Sequence, residues 1–458
     1  MLTLTPAQNK YLPYVLAVAL FMQILDATIL NTALPQMALA VDESPLKMQW
    51  AVISYALTLA IFIPISGFLA DKYGTRRVFL SAIVIFCIGS LLCAMASTLN
   101  FLVASRVIQG IGGAMMTPVG RLILVKSYPR NQLLTVMNFA VIPALVAPLV
   151  GPLLGGYLVQ YASWHWIFLI NIPMGVVGFV IGKKLIPALF GDKQSLDWVG
   201  FGLFALGACA LTLAVEMGSK VGHGYNALLL AAASIGFLLA YVWHAKRHVA
   251  PLFSLTLFNV PTFRIGITGN LSTRIGISAV PFLLPLLLQV MFEYTPSQAG
   301  WLLAPIAVGA LGIKPFVSKI IQRYSYRVVL VYNTLILGLL IIVLGLFSDA
   351  AQWPWMIPVL IVIGVCNSIQ FSAMNTITIG DLQGAQTSSG NSLMAVNQQM
   401  AIGLGIAFGA ALLNLLRDRF QVDTLLAFQV TYWILGGFTI LSGLGFLRLK
   451  PEDGRGLY

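Results

Sequence analysis

The chain has 458 residues, of which 59% are hydrophobic and only 9% are charged. Soluble domains are typically about 45–50% apolar and about 25% charged, so this composition excludes a soluble protein. The apolar runs are continuous rather than alternating, which predicts membrane-spanning helices of about 20 residues and excludes a membrane β-barrel. The expected fold class is therefore an all-α polytopic membrane protein.

Fourteen apolar segments, each bounded by charged residues, proline or glycine, are predicted to span the membrane. In chain order they cover about 13–34, 48–70, 78–98, 100–125, 134–159, 165–187, 197–215, 226–245, 264–291, 297–320, 328–347, 355–379, 390–415 and 426–447. The first segment is too long for the hydrophobic region of a signal peptide and is expected to be a permanent span. An even number of spans places both termini on the same side.

The distribution of basic residues predicts the orientation of these spans. The formal net charge is +12, which in a soluble protein could indicate nucleic-acid binding. With both termini in the cytoplasm, however, 19 of the 26 Lys and Arg residues fall in inner loops, tails or inner helix ends, and four fall outside. Because an excess of Lys and Arg in short cytoplasmic loops sets topology, orientation explains the charge and no nucleic-acid partner is expected.

An internal repeat divides the chain. The loop after the second span reads LADKYGTRRVFL (69–80), and the loop after the tenth reads IIQRYSYRVVLV (320–331); they align at an offset of 251, with Tyr73 opposite Tyr324. The same offset maps the first span onto the ninth, and parallel repeats of this kind are typical of transporters. The predicted domains are an N-terminal six-helix bundle (1–190), two inserted helices (191–250) and a C-terminal six-helix bundle (251–458).

Three glycine-containing motifs point to one transporter family. The loop after the second span has the pattern G-x-x-x-D-x-x-G-x-R-R, formed by Gly67, Asp71, Gly74, Arg76 and Arg77. The fourth span has R-x-x-Q-G-x-G-G, formed by Arg106, Gln109, Gly110, Gly112 and Gly113. The fifth has the pattern G-x-x-x-G-P-x-x-G-G, formed by Gly151, Pro152, Gly155 and Gly156 with Ala147 in place of the leading glycine.

By these motifs the sequence resembles the major facilitator superfamily, and within it the fourteen-helix drug:proton antiporter group. The resemblance implies a monomeric protein of the bacterial inner membrane that exports small molecules in exchange for protons. It also implies that Asp71 belongs to a gating loop that locks the outward-facing state, the alternative being a solvated cluster of anchoring charges. Gln322 stands where Asp71 maps in the second copy, so this latch is expected in the N-terminal half only. The expected role of the fifth-span motif is close helix packing with a bend.

Asp26 is the only one of the 14 acidic residues that lies deep within a predicted span. At a rise of about 1.5 Å per residue, Asp26 lies roughly 12 Å and Arg106 roughly 9 Å from the outer ends of their helices, so an ion pair between them is expected. Burial favours the protonated form of a carboxyl group, and a neighbouring arginine favours the ionised form. If the pair separates when the bundles rock, Asp26 can carry protons; the alternative is a static structural pair.

Polar residues at membrane depth predict a central substrate cavity. By the 251 offset Arg274 maps to Gln23, one helical turn from Asp26, and Asn270 and Arg274 share a helix face at i, i+4. The predicted cavity residues are Gln23, Asn31, Gln109, Asn270, Arg274, Asn367 and Gln370. Hydrogen bonding between packed helices is the alternative for such polar stripes. Lys314 is expected to extend to the membrane surface, and His165 to belong to an interfacial aromatic anchor.

The energy source follows from what the sequence lacks. It contains no G-x-x-x-x-G-K-[ST] phosphate loop, no His/Cys metal cluster and no soluble domain large enough for a nucleotide site. The leading hypothesis is therefore a proton-coupled exporter with a small-molecule substrate, protons and membrane lipids as partners, and with no metal or cofactor. One deep acid against two or three deep bases favours an anionic cargo, such as a carboxylate metabolite, as the alternative. An intramembrane enzyme is not expected, and a transport-inactive sensor or partner-binding protein is the remote alternative.

Overall fold

A computed structural model of the protein describes residues 5–128, 130–191, 195–220, 222–383 and 385–454. Regular secondary structure in these residues is helical, and they contain no strand. The helices divide into two compact units, the first formed by Met1–Leu196 with Thr295–Trp301 and the second by Asp197–Tyr294 with Leu302–Tyr458. The predicted all-α fold class is confirmed.

The described residues of the N-terminal part of the first unit form seven helices. They are α1 (Pro6–Ala40), α2 (Gln49–Tyr73), α3 (Thr75–Ala94), α4 (Leu99–Ser127), α5 (Arg130–Tyr161), α6 (Trp166–Leu169) and α7 (Asn171–Leu185). Helix α1 packs along α5 and α7, while α4 packs against both α2 and α3. Since α1, α4 and α7 meet within this unit, side chains from distant parts of the sequence can share one buried site.

The second unit contains the remaining helices. They are α8 (Trp198–Gly218), α9 (Gly224–Ala245), α10 (Pro261–Ser278), α11 (Val280–Leu286), α12 (Pro296–Ile313, which begins in the first unit), α13 (Val317–Leu344), α14 (Trp353–Gly380), α15 (Ala385–Asn414) and α16 (Thr424–Gly443). Helices α8 and α9 form a hairpin that packs on α15, so the two inserted helices group with the second unit. The separate three-part division of the chain stays a prediction.

Twelve segments of the described chain are long and apolar enough to cross a membrane. One of them, Pro296–Leu344, has 49 residues, whereas about 20 residues of helix span the hydrocarbon core. The count does not include α5, which has 32 residues. If Pro296–Leu344 crosses twice and α5 once, the total becomes fourteen, but that number and the cytoplasmic termini stay predictions.

The two loop motifs that the repeat aligns share an unusual backbone conformation. Gly74 separates α2 from α3 at φ 90° and ψ 138°, and Ser325, which is 251 positions later, has φ 68° and ψ 156°. A side chain is disfavoured in this region of backbone conformations. The sharp bend therefore occurs at equivalent positions, at a glycine in one copy and at a strained serine in the other.

Candidate functional site

Asp26 lies at the centre of a buried hydrogen-bond network in the first unit. Its Oδ2 atom is 2.6 Å from Arg106 Nη1 of α4. Its Oδ1 atom accepts hydrogen bonds from Gln109 Nε2, at 2.8 Å, and from Asn171 Nδ2 of α7, at 2.9 Å. Asp26 is 1% exposed, and Arg106 is fully buried. The ion pair expected from the depth of the two residues is present.

The Arg106 guanidinium is enclosed by protein on several sides. Its Nε donates to the Ala51 carbonyl at 2.9 Å, and the group lies 4.2 Å from the centre of the Tyr55 ring and 5.9 Å from that of Phe168. Ring faces attract cations, so they partly replace the lost hydration. Arg106 Nη2 has no hydrogen-bond partner among the described residues. The neutrality of this site therefore depends on the carboxylate of Asp26.

Ser90 of α3 orients the two amides that hold Asp26. Its hydroxyl accepts from Gln109 Nε2 at 3.3 Å and from Asn171 Nδ2 at 3.0 Å, and it donates to the Phe168 carbonyl at 2.8 Å. The two carboxylate oxygens are thus held differently, because the amides bind Oδ1 and the arginine binds Oδ2. Loss of the arginine contact would leave the hydrogen bonds to Oδ1 in place.

The structure corrects one part of the sequence hypothesis. Asp26 and Arg106 belong to the same compact unit, so movement of one bundle as a rigid body would not separate them. Separation requires a rearrangement inside the unit, between α1 and α4. Sequence reasoning also missed Asn171 and Ser90, whose only signal is a polar residue within an otherwise apolar segment.

The remaining predicted cavity residues of the first unit have distinct environments. Gln23 accepts a 2.7 Å hydrogen bond from the Thr117 hydroxyl through Oε1. Asn31 is half-buried, and its Oδ1 is buried without a hydrogen-bond partner among the described residues. Gln109 is fully buried within the Asp26 network. The Gln109 side chain therefore contacts Asp26, the candidate proton-coupling residue, and does not face an open cavity.

Arg274 of α10 lies within a membrane-spanning segment of the second unit, Pro261–Met291. It is half-buried, and its Nε donates to Asn270 Oδ1 at 2.7 Å, the i, i+4 contact that the sequence predicts. Its guanidinium lies 5.0 Å from the centre of the Phe371 ring. Lys314 lies 5.9 Å from the same ring and donates to Ser372 Oγ at 2.9 Å. No carboxylate in the described chain forms an ion pair with either cation.

Gln370 of α14 forms contacts between packed helices. It is 1% exposed. Its Nε2 donates to Thr334 Oγ1 at 2.8 Å, and its Oε1 accepts from Asn333 Nδ2 at 2.7 Å, both from α13. This arrangement matches the interhelical alternative left open by the sequence. Asn367, one turn earlier on α14, is half-buried.

The fifth-span motif allows α5 to approach its neighbours closely. A Cβ atom added at Gly151 would lie 2.2 Å from Thr28 Oγ1, and one at Gly155 would lie 2.6 Å from the Ile29 carbonyl oxygen, both on α1. A Cβ at Gly156 would lie 2.4 Å from the Pro296 carbonyl oxygen. The close packing predicted for this motif is present at these three positions. At Gly300 of α12, an added Cβ atom would lie 2.3 Å from the carbonyl oxygen of Pro152, so the backbone of α5 is also close to α12.

The predicted gating loop connects α2 to α3 and contacts the C-terminal part of α4. Asp71 forms a 2.7 Å ion pair with Lys126 of α4, and both side chains are about a third exposed, at 35% and 29%. Arg76 donates to the Lys183 carbonyl, whereas Arg77 is exposed. Gly67 has open space where a Cβ would be. Lys126 is therefore the ionic partner of Asp71, a role that the sequence spacing of the motif did not indicate.

His165 lies before α6 and stacks on the Trp164 ring at 3.8 Å between ring centres. Its Nδ1 lies 2.5 Å from Ser163 Oγ. Burial lowers the pKa of His165 below its usual value. These contacts agree with an aromatic anchor.

Comparison with known proteins identifies the class. The model of the Major Facilitator Superfamily matches residues 16–399 and 266–457. The chain belongs to this superfamily of transporters, and it is a multi-pass protein of the bacterial inner membrane rather than an enzyme.

Relatives named MdtD, provisionally assigned to multidrug resistance, match nearly the whole chain. The Cronobacter sakazakii protein is 43% identical, with 98% of this chain and 96% of the relative covered. The Serratia proteamaculans protein is 45% identical, with 96% and 93% covered.

Solved structures show the same fold at low identity. A bacterial homologue of the lysosomal transporter Spinster has a TM-score of 0.68 at 14% identity, with 97% of each chain covered. A D-xylose–proton symporter has a TM-score of 0.70 at 14% identity, with 96% of this chain and 98% of the symporter covered. The predicted family and fold are confirmed.

Proposed function

We propose that this transporter is a proton-coupled antiporter that exports small organic molecules by alternating access, with Asp26 and Arg106 as the coupling pair. The observation that carries the proposal is the fully buried ion pair at 2.6 Å. Ionisable groups inside a membrane protein are costly, and they commonly mark ion or proton pathways. Asp26 is also the only acidic residue deep in a predicted span.

The division of the carboxylate oxygens gives this pair a mechanism for exchanging a proton. A proton on Oδ2 would remove the charge that holds Arg106, while Gln109 and Asn171 still hold Oδ1. Arg106 would then be a buried cation without a counter-ion, which is strongly unfavourable. Protonation would therefore drive a local rearrangement of α4 relative to α1, and this rearrangement would be linked to substrate release.

We infer that the other motifs support the same cycle. The Asp71–Lys126 pair would act as the inner latch, and the contacts of Gly151, Gly155 and Gly156 would keep α5 close to its neighbours. Gln23, Asn31, Asn270, Arg274 and Asn367 are proposed to line the substrate path, whereas the contacts of Gln109 and Gln370 favour supporting roles. The protein is proposed to act as a monomer among membrane lipids.

Arg274 favours a second candidate, the export of an anionic metabolite such as a carboxylate rather than a drug. It is half-buried within a membrane-spanning segment, and the described residues place a neutral amide, an aromatic ring and no carboxylate partner beside it. A cation in this position is stabilised by an anion, and a bound substrate would supply one. Asp26 is already neutralised by Arg106, which leaves little acidic charge to attract a cationic drug.

Transport by the purified protein in liposomes containing a pH-sensitive dye tests the proposal. Two probes separate the candidates, ethidium as a lipophilic cation and labelled succinate as a dicarboxylate. An imposed pH gradient is expected to drive uptake of one probe and to decay faster when that probe is present. Uptake at the same rate with and without the gradient would contradict proton coupling. Failure to take up either probe or any member of a wider panel would favour the transport-inactive alternative.

A further inference from the structure

Three side chains of the types that can bind a metal ion converge at the base of the α8–α9 hairpin, far in sequence from the motifs described above. They are Asp197, which precedes α8, His244 in the last turn of α9, and His248 just after it. One potential ligand atom from each lies within 4.8 Å of the other two. His244 Nε2 and Asp197 Oδ1 are already 2.7 Å apart. The sequence does not indicate this cluster, because Asp197 is 47 positions from His244.

The Asp197 carboxylate is held in place by the backbone around it. Oδ1 accepts from the Gly200 N–H at 2.8 Å, and Oδ2 accepts from the Leu252 N–H at 3.1 Å. Its side chain is 2% exposed. These two backbone hydrogen bonds hold the carboxylate in one orientation, as outer hydrogen bonds orient the ligands of a metal ion.

The two histidines can still turn towards a common point. His244 is partly exposed, at 19% of its side chain, and a metal ion could replace the proton between Nε2 and Asp197 with a small increase in their separation. His248 is exposed, and its Nδ1 accepts only a 3.2 Å hydrogen bond from the Ala250 N–H. In tetrahedral zinc sites, bonds of about 2.0–2.1 Å place the ligand atoms roughly 3.3 Å apart. A small movement of His248 would give this spacing.

We propose that Asp197, His244 and His248 form a binding site for a divalent transition-metal ion of the zinc type, which ties the base of the α8–α9 hairpin together. Two imidazoles and one carboxylate suit zinc, and three protein ligands leave one position for water. The nearby Arg247 guanidinium stacks on the Trp243 ring at 3.9 Å. This site is independent of the proposed proton coupling, because Asp26 and Arg106 belong to the first unit, whereas the three residues and the hydrogen-bond partners given for them above belong to the second.

Zinc titration of the full chain tests the site directly. The protein is purified in detergent, its affinity tag is removed, and binding of ZnCl₂ is measured by calorimetry and by thermal unfolding at pH 7.5. The wild type is expected to bind one ion and to unfold at a higher temperature with zinc. MgCl₂ is expected to give no such increase, since magnesium prefers oxygen ligands in octahedral geometry.

Histidine variants connect the binding to these residues. His248→Ala is expected to fold normally because the side chain is exposed, and to weaken zinc binding about tenfold or more, since even outer-shell partners of a metal contribute that much. His248→Cys, which supplies a thiolate ligand, should restore binding. His223→Ala, at the opposite end of α9, is the matched control and should bind zinc like the wild type. The proposal is overturned if the wild type does not bind zinc, or if His248→Ala binds it as tightly as His223→Ala.

Discussion

The carboxylate of Asp26 and the guanidinium of Arg106 lie 2.6 Å apart, fully buried, although 80 residues separate them in the sequence. Replacing such a pair by apolar groups is often neutral or stabilising, so the pair is weak evidence for a role in stability alone. The pair is buried beside two amides and two aromatic rings, so a change in its charge would affect the stability of the first unit.

Breaking the ion pair from one side is predicted to destabilise the protein more than removing both charges. Asp26→Asn leaves Arg106 as a buried cation without a counter-ion, which should cost about 3–5 kcal/mol. Asp26→Asn with Arg106→Gln should recover part of this loss. Thermal unfolding of the variants in detergent measures the order. Unfolding of Asp26→Asn at the wild-type temperature would show that the pair is not ionised.

Arg274→Gln is predicted to impair anionic substrates selectively. Hydrogen bonds to charged groups contribute about 1.5–3 kcal/mol, so affinity for succinate or a related anion should fall roughly tenfold or more. Uptake of a neutral or cationic probe should change little. Competition against a transported probe in liposomes gives the affinities, with Arg417→Gln as the control because Arg417 pairs with Asp418. If the variant binds the probes with the same order of affinities as the wild type, Arg274 does not line the substrate path.

The Asp71–Lys126 pair is predicted to affect transport more than stability. Partly exposed ion pairs contribute up to about 1 kcal/mol, so Asp71→Asn and Lys126→Gln should unfold at nearly the wild-type temperature. If the pair is a latch, both variants should lower the initial rate of transport to a similar degree. Lys72→Gln is the control, since Lys72 lies over the Phe68 and Tyr73 rings. If Asp71→Asn and Lys126→Gln both transport at the wild-type rate, the ion pair only anchors this loop and is not a latch.

Gly155→Ala is predicted to separate α5 from α1. The added methyl group would lie 2.6 Å from the Ile29 carbonyl oxygen, and overpacking of this kind typically costs about 1–3 kcal/mol. Gly202→Ala on α8 is the matched control, because nothing lies within 4 Å of its added Cβ. Thermal unfolding should show a loss for the first variant and no loss for the second. Equal stability of the two variants would contradict close packing at Gly155.

The sequence predicts charged pairs at depth better than neutral contacts. Asp26 and Arg106 could be paired in advance because a charge inside a membrane is costly and few candidates exist. Asn171 and Ser90 could not, since their participation depends on how α7 and α3 are rotated towards α1. Periodicity placed Gln370 on a polar stripe, but it could not show that Asn333 of α13 would cover it.

The ionic partner of Asp71 was also not predictable from the sequence. The motif placed Asp71 beside Lys72, Arg76 and Arg77, yet its ionic partner is Lys126, which is 55 residues away. The fold class followed from composition and the repeat because both depend on patterns that extend along the whole chain. Individual partners depend on helix packing, which a single sequence does not specify.

Gradient-driven accumulation by Asp26→Asn is the most direct test of proton coupling. Liposomes containing the wild type, Asp26→Asn or Asp26→Asn with Arg106→Gln are supplied with a probe that the wild type transports, with and without a pH gradient. The wild type should accumulate the probe only with the gradient. The double variant, which avoids an unpaired buried charge, should still exchange the probe across the membrane but should not accumulate it. Accumulation at the wild-type level by either Asp26 variant would contradict the assignment of Asp26 as the proton carrier.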